Sequence, residues 1–577
     1  MIEFGSGSNT VIKSKLISRR MFILSAAKAI VFFGVFGRLV SLQINESKKY
    51  KTLSDKNRFR EWKLAPQRGL ITDYFGQEIA SNEKVYQLHI TPENTDNIEK
   101  LFFRLKSIIG LTERKIIFLK KKIAKQKPWE PIIVSENLTW SEFSRVNLFL
   151  HELQGVEPII SVARVYPEQS VSHVVGYVSQ LSKKDLQNKK YLRDMAITGI
   201  SVGKTGLENK LDQDIIGQVG FQRYEVNAFG KRIRQIQVET GKSGKNFRTT
   251  LDLEVQNFAA ETIKDKAASV CVMDIYNGDI IAMVSTPGYN ANSFVHGIEK
   301  KYWNELISNP LKPLNNKCIS GLYPPGSTIK TIVALSALEN DIISPNMNVE
   351  CKGVIELYGE KFHCWKKKGH GMMNLKSAIK RSCDVYFYEV ARKLGVDRIS
   401  DTSKKFGLGK KVLEDFIEER SGVVPNTRWK KKFIGKNWYL GETLHSGIGQ
   451  GYFQSTPLQL CLMTAQLANG GFEIQPRLIF DKKSNNLKNY LDYKNSNPDS
   501  SLPIDILASD FNLKPLFRNQ ENINFIKDAM FSSTNEPGGT SYGSRIDNKK
   551  FRFAGKTGSS QVKRFTEAQR EAEVKQK

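Results

Sequence analysis

In the stretch Leu322-Tyr323-Pro324-Pro325-Gly326-Ser327-Thr328-Ile329-Lys330, a serine and a lysine stand three residues apart, just past two prolines and a glycine. The Pro-Pro-Gly segment cannot continue a helix, whereas Thr328-Ile329-Lys330-Thr331-Ile332-Val333-Ala334-Leu335 can. The pattern predicts a stiff loop that becomes a helix N-terminus at Ser327, with Lys330 on the same face. Such a place gives a serine nearby backbone N–H groups and positive potential, and a partly desolvated lysine can take its proton. The chemistry is that of a nucleophilic serine. Alone the spacing is a weak signal, because it recurs at Ser81, Ser201, Ser377 and Ser560, among other places.

Two later segments strengthen it. Ser382-Cys383-Asp384 follows, and Phe553-Ala554-Gly555-Lys556-Thr557-Gly558-Ser559 comes near the end. Ser-x-x-Lys, then Ser-x-Asn or its Ser-x-Asp variant, then Lys-Thr-Gly resembles the acyl-serine signature of penicillin-binding proteins and serine β-lactamases. The resemblance implies that Ser327 attacks the carbonyl between two D-alanines of a peptidoglycan stem peptide, with Lys330 as base. Ser382 would relay the proton to the leaving amine, with Asp384 where most relatives carry asparagine. Lys556 and Thr557 would hold the substrate carboxylate, and Gly558 would permit close backbone approach. The N–H groups of Ser559 and Ser327 would form the oxyanion hole. β-Lactams, as mimics of the peptide, would acylate Ser327. Taken singly, Ser382 reads as a helix cap and Lys556 as a solvated charge; only the ordered set favours catalysis. Gly203-Lys204-Thr205-Gly206 repeats the Lys-Thr-Gly triplet ahead of the serine, out of order, and Thr198 stands where a phosphate loop needs glycine.

Cys351, Cys364, His370 and Cys383 form a second constellation, with twelve, five and twelve residues between them. Three thiolates and an imidazole make a complete tetrahedral zinc set, and a closed site of that kind is structural. A Cys351–Cys364 disulfide is the competing reading, and His363 could stand in for His370. Resemblance to the penicillin-binding protein 2 subgroup, whose members hold zinc between these two motifs, favours the metal. Cys271 and Cys461 read as core residues, and Cys318 has no clear place.

Elements must position these groups. Ser269–Ile275 and Ile280–Ser285 flank Tyr276-Asn277-Gly278-Asp279, a hairpin signal, and should start a central sheet; a mostly helical region follows the serine. Upstream, Ala65-Pro66-Gln67-Arg68-Gly69, Arg164-Val165-Tyr166-Pro167, His173-Val174-Val175-Gly176-Tyr177-Val178 and Gly206-Leu207-Glu208 resemble the pedestal of class B penicillin-binding proteins. Met21–Gly37 is apolar apart from Lys28, and the run continues to Ile44; Lys13, Lys15, Arg19 and Arg20 precede it. This predicts an uncleaved anchor with the N-terminus in the cytoplasm, rather than a signal peptide cut near Ala27-Lys28-Ala29. The fold class implied is α+β. It comprises a tail (1–20), a transmembrane helix (21–44), a pedestal (45–249) and a transpeptidase domain (250–577) with an antiparallel sheet and a helical lobe.

The net charge of +28 over 577 residues invites a nucleic-acid reading, but the basic residues are scattered and match no zinc-finger, RRM or basic-zipper pattern. A surface facing anionic lipid or a pyrophosphate-linked substrate explains the charge as well. The resemblance implies a bacterial inner-membrane protein with its catalytic domain in the periplasm. Its partners would be a SEDS-type glycosyltransferase and an elongation scaffold. Rival readings are the division transpeptidase, a class D β-lactamase, and a non-catalytic β-lactam receptor or scaffold. The last draws on the C-terminus. Only nineteen residues follow Gly558, and Thr566–Lys577 is charged and helix-forming. The family continues with two more strands and a helix, so the sheet is expected to be incomplete and Lys556 to stand on a strand without an inner neighbour.

Overall fold

A computed structural model of the chain describes residues 19–48, 51, 59–193, 195, 200–226, 232–413, 416–481, 486–496 and 508–560. Helix α1 (Arg19–Val40) runs on into a π-helical turn, Ser41–Asn45. Its apolar side chains are exposed, and Arg20–Ile44 is long and apolar enough to cross a membrane.

Apart from a short pair, Val178–Gln180 with Ser201–Gly203, the described strands of the pedestal are β1 (Phe59–Leu64), β2 (Ile71–Thr72), β3 (Glu78–Ile90), β4 (Ile132–Leu138), β5 (Val156–Val165), β6 (Gly220–Val226), β7 (Arg232–Glu239) and β8 (Phe247–Arg248). β1, β6 and β7 make one antiparallel sheet. In a second sheet β3 pairs with β5 from Ser81↔Val165 to Ile90↔Val156, with β4 on its outer half, while β2 joins β3 to β8. The helix Ile98–Ile109 turns Leu101, Phe102, Leu105 and Ile108 toward Leu88, Ile90 and Val134, at the spacing of one apolar helical face. Its first turn is capped by Asn97, whose side chain accepts from the Lys100 N–H at 3.0 Å.

Where the pedestal meets the rest, the segments resembling the family converge on two buried carboxylates. Arg68 Nη2 contacts Glu208 Oε2 at 2.7 Å and Asp212 Oδ1 at 2.9 Å, and Arg164 Nε contacts Glu208 Oε1 at 2.6 Å. Tyr166 adds its hydroxyl to Glu208, and Lys189 and Tyr191 close on Asp212. Burial alone would push the Glu208 carboxyl up, but Arg68 and Arg164 together hold it below its ordinary value. The out-of-order Lys-Thr-Gly lies here as plain structure: Lys204 pairs with Asp185, and Gly206 packs its backbone on Val174 and Gly176. From this junction one core runs unbroken from Ile71, Val174 and Leu207 into Tyr289, Phe294, Ile332 and Tyr386.

In the transpeptidase domain the hairpin forms at the expected place. Strand β9 (Ala268–Met273) pairs antiparallel with β10 (Ile280–Thr286), with a bulge at Val272/Met273. Cys318, buried, donates its thiol to Val284 O at 3.0 Å, and Cys461 lies against Cys271 O, so these three cysteines belong to the core. The region after the serine is helical but carries two short antiparallel pairs, Val349–Cys351 with Gly371–Met373 and, between them in the chain, the hairpin Val354–Leu357 with Glu360–His363. The Lys-Thr-Gly segment departs from the expected strand: residues 552–560 have no regular secondary structure. Groups of the helix Gln520–Asn535 take up its backbone instead, with Asn535 Nδ2 donating to Phe553 O and the Gly555 N–H to the Met530 carbonyl. The expected charged helix at 566–577 and the question of further strands fall outside the described residues.

Replacing Glu208 by Ala leaves Arg164 and half of Arg68 buried without a counter-charge. The substitution is expected to cost about 3–5 kcal/mol, read as a lower denaturation midpoint in urea.

Candidate active site

Ser327 sits on a 3-10 turn, Gly326–Ile329, that feeds helix α2 (Lys330–Glu339), so the helix start anticipated at the serine opens with a tighter turn. Main chain does most to fix this turn, with the Thr328 hydroxyl donating to Pro325 O at 2.7 Å. Gly326 has φ +57 and donates its N–H to Gly449 O at 2.9 Å. A Cβ on Gly326 would fall 2.5 Å from Ser559 O, and one on Gly449 would fall 2.3 Å from Gly326 O. Gly558 lies against Thr328 and Pro325, where a Cβ would meet Thr328 Cγ2 at 2.9 Å. The Lys-Thr-Gly segment thus lies backbone to backbone with the serine turn. Ser327 is half-buried, and its hydroxyl has no hydrogen-bond partner among the described residues.

Lys330 is wholly buried on a helix that is apolar all round. Its Nζ donates to Ser382 O at 2.9 Å, to Ser382 Oγ at 3.3 Å and to Asp384 Oδ1 at 2.7 Å. Asp384 is the first residue of helix α3 (Asp384–Leu394), where the helix dipole favours a carboxylate. The Ser382 hydroxyl also accepts from Lys556 Nζ at 2.9 Å. With two ammonium donors on one oxygen, the hydroxyl's own proton is left to point away from both lysines. Burial, and after it the positive charge of Lys330, pushes Lys556 down to about 7. Lys556 therefore faces Ser382 rather than standing free, while Thr557 Oγ1 donates to Thr540 Oγ1 at 3.0 Å. Thr540, Gln450 (Nε2 to Ser559 O, 3.0 Å) and Trp365 are site residues that spacing did not single out. Thr540 follows Pro537-Gly538-Gly539, a turn signal that gave no hint of what the turn holds.

Beside this site the second constellation also comes together. The ligand atoms of Cys351, Cys364, His370 and Cys383 all lie within 4.8 Å of one another. His370 Nδ1 is 3.6 Å from Cys351 Sγ and 3.5 Å from Cys364 Sγ, close to the ~3.6 Å edge of a tetrahedron with zinc-to-ligand bonds near 2.0–2.3 Å. A hydrogen bond from Cys383 pulls Cys364 down to about 5 and pushes Cys383 up, so the pair holds one thiolate, the form that binds metal. All six cysteines are free, so no Cys351–Cys364 bridge is present, and His363 is exposed, away from the cluster. The donor set fits zinc.

Buried lysine, serine turn and Lys-Thr-Gly thus come together, and the chain as a whole matches known proteins. The penicillin binding protein transpeptidase domain family matches residues 268–574, and the penicillin-binding protein dimerisation domain matches residues 63–249. This chain belongs to the class B penicillin-binding proteins. It is 34% identical to the peptidoglycan D,D-transpeptidase MrdA of Escherichia coli over 95% of this chain and 85% of that one. The MrdA of Haemophilus influenzae is 32% identical over 95% of this chain and 82% of its own length. Among solved structures, penicillin-binding protein 2 of Helicobacter pylori in complex with MreC matches at a TM-score of 0.73 and 29% identity, over 87% of this chain and 90% of that one. Pseudomonas aeruginosa penicillin-binding protein 2 with WCK 5153 matches at 0.61 and 28%, over 87% and 86%.

The position of Lys556 has a pH consequence. Its folded-state pKa lies below the free value of 10.5, so its charge opposes folding in full below about pH 7, where both states are protonated. That opposition fades as pH rises from about 7 toward 10.5, so stability gains with pH in this window. Lys556→Met is expected to remove the gain, checked by urea midpoints of both proteins across the window.

Proposed function

We propose that this chain is a peptidoglycan D,D-transpeptidase of the elongation type. The observation that carries the reading is the convergence of Lys330 and Lys556 on Ser382 beside the Ser327 turn. Lys330, once its ammonium has released a proton, takes the Ser327 proton as Ser327 Oγ bonds to the carbonyl carbon between two D-alanines. The Ser327 and Ser559 N–H groups carry the oxyanion. The carbon–nitrogen bond then breaks, and Ser382 passes a proton to the departing D-alanine amine. Lys556 and Thr557 hold the terminal carboxylate. An amine of a second stem peptide attacks the acyl-Ser327 ester and releases the cross-linked product; water in its place gives carboxypeptidase chemistry. A β-lactam acylates the same oxygen.

α1 anchors the protein in the inner membrane, with the basic residues before it in the cytoplasm and both folded domains in the periplasm. The resolved complex of a relative with MreC supports a shape-determining scaffold as partner, and a SEDS-type glycosyltransferase is the second partner. Cys351, Cys364, His370 and Cys383 hold a structural zinc that pins the loop leading to Ser382.

Incubation with a labelled penicillin and peptide mapping is expected to place one adduct on Ser327 and none in Ser327→Ala; an unlabelled wild-type protein overturns the reading. Elemental analysis is expected to find about one zinc per chain, and chelation to lower the melting temperature; less than about a third of an equivalent removes the metal from the account.

A further inference from the structure

Ser382 is the residue on which both active-site lysines converge, and it has φ +53, a left-handed backbone that a residue with a Cβ resists. Such a conformation persists only where surrounding contacts over-determine it. Along the main chain, the Ser382 N–H donates to Ile379 O at 3.2 Å and the Cys383 N–H to Ala378 O at 3.0 Å. The first bond holds the amide ahead of Ser382, and the second holds the N–H end of the Ser382–Cys383 peptide itself. The carbonyl side is held by two groups from elsewhere: Lys330 Nζ, and the Trp365 indole, whose Nε1–H is shared between Ser382 O at 3.1 Å and Arg381 O at 3.2 Å. Trp365 also donates its backbone N–H to Asp384 Oδ2 at 2.9 Å, opposite the oxygen that Lys330 engages.

From these contacts we infer that Trp365 is a positioning residue: its indole N–H clamps the strained Ser382 peptide so that Ser382 Oγ stays between Lys330 and Lys556. The inference rests on the transpeptidase reading for what the clamp serves. The residue is 59% exposed, so burial of its ring accounts for less than its Nε1 donor, which reaches two carbonyls. Its place in the chain gives it a firm base. Trp365 follows Cys364 directly and meets the His370 ring edge to face at 5.2 Å, while Asp384 follows Cys383 directly. Two of the four clustered ligands therefore adjoin the two residues joined by the Trp365 N–H. A rigid cluster on one side and a strained serine on the other leave the tryptophan as the strut between them. Release of the indole bond leaves the Ser382 carbonyl to Lys330 and lets the Ser382–Cys383 peptide tilt about its remaining bonds, and the backbone angles of Ser382 shift with it, moving Oγ off the line between the two lysines.

Trp365→Phe isolates the clamp, since it keeps an aromatic ring beside His370 and the backbone N–H to Asp384 and removes only the indole donor. Stopped-flow acylation by a labelled penicillin separates the binding constant of the first complex from the acylation rate constant. The expected result is an acylation rate about tenfold lower, the effect of one hydrogen bond. The binding constant, the zinc content, the melting temperature and the fraction of protein finally labelled are expected to be unchanged. Amide hydrogen exchange across residues 381–385 is expected to quicken in the variant, a readout that needs no acylation. An acylation rate within about twofold of wild type, or exchange that does not change, overturns the inference. So does a slower rate matched by lost zinc or a lower melting temperature, which would make the ring a structural prop. A wild-type protein that takes no label strikes the transpeptidase reading instead, and the exchange result then stands on its own for the clamp.

Discussion

A lysine ammonium with no solvent exposure is the constraint on which the transpeptidase site depends. Lys330 lies in the middle of the largest core, on a helix whose neighbours are isoleucine, valine, leucine and alanine. An unpaired charge there is untenable, so Asp384 and the Ser382 carbonyl must be brought to it. That requirement ties α2 to α3 and fixes where the loop before α3 ends. It draws Ser382 into a backbone shape it would not otherwise hold, and it sets Lys556 beside a like charge. The nucleophile turn is defined from the other side, by the backbone of Gly449 and Ser559.

The pedestal repeats this logic with the signs reversed. Glu208 and Asp212 are the buried charges, and Arg68, Arg164 and Lys189 come from three separate stretches to meet them. The network lies next to residues whose core continues into the transpeptidase domain. Tyr166 and Asn292 cross between the two domains with a reciprocal pair of backbone-to-amide hydrogen bonds, 2.8 and 2.9 Å. The two domains are therefore packed as neighbours through one apolar interior and joined by polar contacts at its edge.

Much of the site was legible in the sequence because acyl transfer restricts residue types. Ser327, Lys330, Ser382, Asp384 and Lys556 could be named from order and spacing, and they come together. The cluster of three cysteines and a histidine was legible for the same reason, since thiolate and imidazole are scarce and their roles few. The β9–β10 hairpin showed through its Asn-Gly turn. What could not be read was whatever main-chain groups decide: the left-handed Ser382, the bond from the Trp365 N–H to Asp384, and the irregular Lys-Thr-Gly segment. Any residue but proline offers an N–H, so such contacts leave no mark in composition. The two strand pairs around Cys351 and His363 escaped notice because strands of three or four residues are too short for alternation to register. Thr540 was missed because a threonine in a glycine-rich turn has a local explanation that hides its distant partner.

Three glycines, Gly326, Gly449 and Gly558, surround the nucleophile turn with bare main chain. The serine's position is set largely by main chain, with Thr328 and Gln450 the side chains that bond to it. At these three positions even the smallest substitution adds a methyl group where the neighbouring atoms are already 2.3–2.9 Å away. Heritable change in how this pocket receives a drug must therefore enter through its outer walls, around Trp365, Gln450 and Thr540. The innermost ring has only two states open to it, intact or broken.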